Sequence, residues 1–172
     1  MADYYTQIVV QQTIPERLVS PFERLLLAEI FEHESSEEGI YYFASNGASC
    51  DITLDRRDLE QVLEQTTDRS RLRSFITDRL KKAASGHDYV DFDLSAVPSG
   101  DAHVILLQDI VRRSKDVLPY LMLSYAYTCN KMRPDGFGGM GMIITPARIL
   151  YQSTYAFFEN FERRRLRKST SS

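Results

Sequence analysis

The chain predicts an α+β fold, an antiparallel sheet with helices packed on one face, built from two βαββα-like repeats joined by a bridging helix. Three observations carry that expectation. Leu26-Leu27-Ala28-Glu29-Ile30 is followed by Ile40-Tyr41-Tyr42-Phe43, and Leu106-Leu107-Gln108-Asp109-Ile110 by Tyr120-Leu121-Met122-Leu123, a constant shift of 80. Ile52-Thr53-Leu54-Asp55 matches Met142-Ile143-Ile144-Thr145 at a shift of 90, so the second copy has gained ten residues around Cys129–Gly139. Segments of period two also alternate with segments of helical period along the whole chain.

Taken in order, Tyr5 to Ile14 reads as a strand, with Ile8 and Val10 on one face and Val9 on the other. Ser20, Pro21 and Glu23 then announce a helix as N-cap, N1 proline and capping-box acid. Phe22, Leu25, Leu26 and Ile30 form its stripe, and Ser35-Ser36-Glu37-Glu38-Gly39 reads as the polar turn that ends it near Glu34. Ile40 to Ser45 and Ser49 to Leu54 are strands about Asn46-Gly47, the pattern of a hairpin. Asp55 caps a helix through Leu59, Val62 and Leu63, with Leu54 and Leu59 at staple spacing. A further helix with a basic outer face (Arg69, Arg73, Lys81, Lys82) follows.

The second half repeats the order. Tyr89 to Leu94 alternates as a half-exposed strand, and Asp101 precedes a helix with the stripe Ala102, Ile105, Leu106 and Ile110. Tyr120 to Thr128 and Met140 to Ile144 pair as strands across the inserted loop. Thr145-Pro146 matches Asp55 as a helix start, and a last helix, Thr154 to Leu166, is expected to bury Phe157, Phe158 and Phe161. The organisation is one domain: pseudo-repeat 4–66, bridging helix 68–84, pseudo-repeat 88–166 and a disordered tail 167–172.

Composition narrows the function classes. With 172 residues the chain is long enough for a real core, and no apolar run approaches the ~20 residues of a membrane span. Cys50 and Cys129 make neither metal spacing nor a disulfide framework, so reduced thiols and a cytoplasmic home are expected. The net charge of −3 divides unevenly. Residues 1–86 carry 10 Lys/Arg against 15 Asp/Glu, and residues 87–172 carry 11 against 9. Five of those 11 are Arg163, Arg164, Arg165, Arg167 and Lys168, so the body is acidic and a broad phosphate-binding face is disfavoured.

Few residues promise chemistry. Cys129 precedes Lys131 and Arg133, whose charges favour a thiolate, but no histidine follows to act as base; a buried small hydrophobe is the simpler role. Arg133, Asp135, Gly138 and Gly139 share a glycine-rich stretch suited to close approach by a ligand. The spacing is neither a P-loop nor a dinucleotide fingerprint, so no cofactor and no metal is expected. Asp109, Arg112 and Arg113 fit surface ion pairs, and Glu29 falls inside the apolar stripe, where it would need a partner. Tyr41, Tyr42, Tyr120, Tyr125 and Tyr127 lie on predicted strands without interleaved basic residues, which favours core or dimer packing over base stacking.

These readings converge on a non-enzymatic binding or regulatory protein. It is expected to make protein–protein contact through the inserted loop 126–139 and an aromatic sheet surface. Lys131, Arg133, Asp135, Gly138 and Gly139 would make the contact, to a protein partner or a second copy. A small ligand-binding domain or enzyme centred on Cys129, Arg133 and Asp135 is the alternative. Nucleic-acid binding through Arg163–Lys168 is the weaker one.

Overall fold

The computed structural model describes residues 2–67, 70–84, 86–98 and 100–169, with side chains as far as Arg163. In chain order the elements are β1 (Tyr4–Val10), α1 (Pro21–Ile30), β2 (Glu32–Ser36), β3 (Gly39–Ala44), β4 (Asp51–Asp55) and α2 (Arg56–Gln65). They continue with α3 (Arg71–Lys82), β5 (Tyr89–Asp93), α4 (Ala102–Arg113), β6 (Leu121–Cys129), β7 (Gly138–Ile144), β8 (Ile149–Ser153) and α5 (Thr154–Ser169). The fold is α+β. A six-stranded antiparallel sheet has the order β2-β3-β1-β6-β7-β8, and β4 and β5 form a separate two-stranded sheet.

Register decides which face is covered. Ile8 stands opposite Tyr125, Val10 opposite Leu123, Leu123 opposite Met142, and Leu121 opposite Ile144. All of these side chains are buried, on the face that meets α1 and α4. Their neighbours along the strands (Gln7, Met122, Ser124, Ala126, Gly141 and Ile143) are exposed on the opposite face. Beneath α1 and α4 lie α2, α3 and the small sheet, whose Ile52, Leu54, Val90 and Phe92 join the same core. The middle position explains why α4 is buried nearly all round, through Val104, Leu107, Gln108 and Val111 as well as its expected stripe.

Local signals act where the residues stand. Ser20 Oγ accepts the Glu23 amide at 3.3 Å while Glu23 Oε2 accepts the Ser20 amide at 2.9 Å, completing the capping box. Asp55 accepts the amides of Arg57 and Asp58, and Leu54 and Leu59 are both buried beside it. Gly39 takes φ +138° where β3 begins, and an added Cβ would collide with the Ile14 carbonyl that pairs with this strand.

The repeat expected from the sequence stops short of the fold. Helix then strand recurs at the shift of 80 (α1 to β3, α4 to β6), but β2 has no counterpart between α4 and β6. Residues 40–45 and 49–54 do not form a hairpin: β3 pairs with β1 and β2, and β4 pairs with β5. α1 ends at Ile30, where Phe31 turns extended and buried; Glu32–Ser36 is an edge strand, and the expected turn is confined to Glu37 and Glu38 between β2 and β3. Thr145-Pro146 starts no helix. Thr145 Oγ1 accepts the Arg148 amide at 3.1 Å and closes a tight turn into β8.

α3, expected as a bridge, packs on α4 and β5, and Arg73 turns inward to the Leu63 carbonyl and Thr66 hydroxyl. Arg69 lies outside the described residues. The tail expected from 167 is partly helical, since α5 runs to Ser169; residues 170–172 lie outside the described residues. α5 does not bury its aromatics either: Phe157, Phe158 and Phe161 are all more than half exposed.

Candidate functional site

The inserted residues form the connection between β6 and β7, and the chain braces it at both ends. Asn130 exchanges three hydrogen bonds with Asp3: its amide donates to the Asp3 carbonyl, its Oδ1 accepts the Asp3 amide, and its Nδ2 donates to Oδ2. On the far side, Tyr4 Oη donates to Asp135 Oδ2 at 3.4 Å and Tyr155 Oη donates to the Asp135 carbonyl at 3.2 Å. Gly136 lies against Cys129, where a Cβ would come within 2.9 Å of the cysteine's own. Between these anchors Lys131, Met132, Arg133 and Pro134 face solvent. Met132 is 91 % exposed, and among the described residues neither flanking cation makes an ion pair.

The candidate residues therefore take separate roles. Cys129 is buried, and its sulfur accepts the Lys131 amide at 3.5 Å. No hydrogen bond joins it to Arg133 or Asp135 among the described residues. Asp135 belongs to the brace. Gly138 and Gly139 are in β7; the Gly139 amide donates to Thr154 Oγ1 at 3.2 Å, and Gly138 makes room for Thr154 and Tyr155. They seat the start of α5, so of the five contact candidates Lys131 and Arg133 stand at the exposed tip. Met132 escapes a reading that looks for charge, although an apolar residue between two cations was a visible signal.

The other candidates resolve into structure. Glu29 is exposed and needs no partner. The buried acid is Glu23, 2 % exposed, gripped by Arg113 at 2.6 and 3.0 Å. Arg112 lies 3.4 Å from Asp109 and also donates to the Pro146 carbonyl at 2.9 Å. Gln108 donates to the Thr145 carbonyl at 3.1 Å, so α4 holds the β7–β8 turn at two points. Asp109 Oδ2 is buried without a hydrogen-bond partner among the described residues.

Alternation also sorts the aromatics. Tyr42 and Tyr125 are core and Tyr127 is half-buried, while Tyr41 stacks on Phe43 at 5.4 Å on the open face. Burial pushes the Tyr42 hydroxyl up to about 12, and raises Tyr125 as well. His103 Nε2 lies 3.0 Å from Tyr125 Oη, and burial lowers the imidazole's pKa against the opposing pull of Asp101. Elsewhere on the open face, Met122, Ile143, Leu150 and Gln152 line a shallow cleft of about 570 Å³, open because Gly141 has no side chain. At the chain end, Arg163 pairs with Glu159 at 3.6 Å on an exposed helix surface, a contact worth little. The side chains of Arg164, Arg165, Arg167 and Lys168 lie outside the described residues.

Among the described residues no three His, Cys, Asp or Glu side chains cluster as metal ligands, and no helix is long and apolar enough to cross a membrane. The chain matches no protein-family model, and it has no significant match among curated proteins or solved structures.

Proposed function

We propose that the chain is a non-enzymatic binding protein that contacts another protein through the tip of the β6–β7 loop. The single observation behind this reading is Met132, 91 % exposed between Lys131 and Arg133 on a loop clamped by Asp3, Tyr4 and Tyr155. A braced loop loses little conformational freedom on binding, which lowers the cost of association. An exposed thioether is adaptable, and Arg adds a planar fork for carboxylates or carbonyls. The partner surface that fits is apolar at its centre and acidic at its rim.

Pull-down with wild type, Met132→Ser, Arg133→Ala and a loop shortened to the length of the first copy tests this. Loss of one specific partner in all three variants is expected. If every variant folds and keeps every partner, the loop is a passive connection and the reading is lost.

A further inference from the structure

The six-stranded sheet ends in two unlike edges. β2 reads Glu32-His33-Glu34-Ser35-Ser36, followed by Glu37 and Glu38. Charge of this kind protects an edge from pairing with another chain. β8 reads Ile149-Leu150-Tyr151-Gln152-Ser153 and has no charge, proline or glycine. Its inner side pairs with β7, and no strand covers its outer side among the described residues. Ile149, Leu150 and Tyr151 are exposed, Tyr151 by 72 %. α5 follows without a break and exposes Phe157, Phe158 and Phe161. Among the described residues, neither the outer side of β8 nor these phenylalanines are covered.

We infer that the partner of this region is a second copy of the chain, joined by antiparallel pairing of β8 with β8 about a two-fold axis at Tyr151. An isologous contact uses one patch twice, so the patch must be self-complementary. With the axis at Tyr151, each Tyr151 meets its counterpart, Leu150 meets Gln152 and Ile149 meets Ser153. No like charges are opposed, and the tyrosines make an aromatic cross-strand pair. The same operation on β2 about Glu34 sets two glutamates against each other, which opposes pairing there. The two sheets become one continuous sheet. This surface is separate from the β6–β7 loop tip, and either can fail alone.

Sedimentation equilibrium of the full chain tests the inference. Wild type is expected at twice the monomer mass of 19.8 kDa. Tyr151→Lys and Tyr151→Asp each place like charges in contact and are expected to weaken the dimer by about tenfold or more. Mixed together, the two variants are expected to recover a dimer containing one of each, which no general loss of folding would produce. In wild type, β8 amides are expected to gain protection from hydrogen exchange as concentration rises, a reading that needs no substitution. A monomeric wild type overturns the inference. So do variants that self-associate as wild type does, a mixture of folded variants that stays monomeric, or β8 amides whose protection ignores concentration.

Discussion

α4 and α5 are both helices with apolar residues at helical spacing, yet one is the most deeply buried helix in the molecule and the other stands with its phenylalanines in solvent. α4 touches β7 on one side and α1 and α3 on others, so even Gln108 is buried and must find the Thr145 carbonyl. α5 is attached at its start, through Thr154 on Gly139 and Tyr155 on the Asp135 carbonyl, and its phenylalanines have no cover among the described residues. An apolar stripe says that a helix has something to bury. It does not say whether its own chain supplies the other surface.

The contrast can be broken by substitution. The largest effect is expected at Leu107, fully buried in α4. Leu107→Ala should lower unfolding stability by about 2–5 kcal/mol, through lost transfer energy and the cavity left behind. Urea denaturation reads it directly, and a loss near zero would mean that α4 is not the middle layer.

Ser20→Ala should cost α1, the companion of α4, about 0.5–2 kcal/mol by removing one half of the capping box. Glu23 keeps its grip on Arg113, so the loss should stay well below that at Leu107. A denaturation midpoint equal to wild type would show that the cap contributes nothing.

pH sharpens the comparison, because His103 lies on α4 while α5 carries no histidine. Burial depresses the folded-state pKa of His103, so the unfolded chain binds the proton more readily. Stability from this group is therefore complete above the ordinary histidine value near 6.5 and declines as pH falls through it toward the lower folded value. His103→Phe should flatten that decline between roughly pH 7 and 5 in thermal melts at fixed ionic strength. An unchanged slope would place the pH sensitivity elsewhere.

The smallest effect is expected on α5. Phe158→Ala should change monomer stability by no more than about 0.5 kcal/mol, because the ring is already mostly in water. Measured on the Tyr151→Lys variant, where self-pairing is opposed, a loss above about 1 kcal/mol would show that α5 is packed after all and the contrast is false.

How much of the fold is legible in the sequence follows the range of the forces involved. Capping at Ser20 and Asp55, the staple of Leu54 on Leu59, and the alternation of β5 and β6 depend on residues a few positions apart. The α+β class follows from them. At the candidate site, the exposed positions of Lys131 and Arg133 are legible as a polar insertion between two strands. Its brace is not, because Asp3 and Asn130 lie 127 residues apart and neither has a local signature. Glu23 is visible as a cap but not as the partner of Arg113, 90 residues away.

Tertiary structure alone decided the rest. An edge strand such as β2 is wet on both faces, so it shows no alternation and resembles a turn. Thr145-Pro146 is as good a helix start as Asp55 by local chemistry; what differs is that α4 reaches the Thr145 and Pro146 carbonyls with Gln108 and Arg112 and holds a turn there. The repeat expected from the shifts of 80 and 90 does not extend to strand pairing. Strand partners are chosen by the burial of whole faces, a sum over distant residues that no short window contains. By itself the sequence determined where helices and strands want to start and which way their apolar sides point. Which of those sides meet one another, and which are left to face solvent, was settled only when all of them competed for one core.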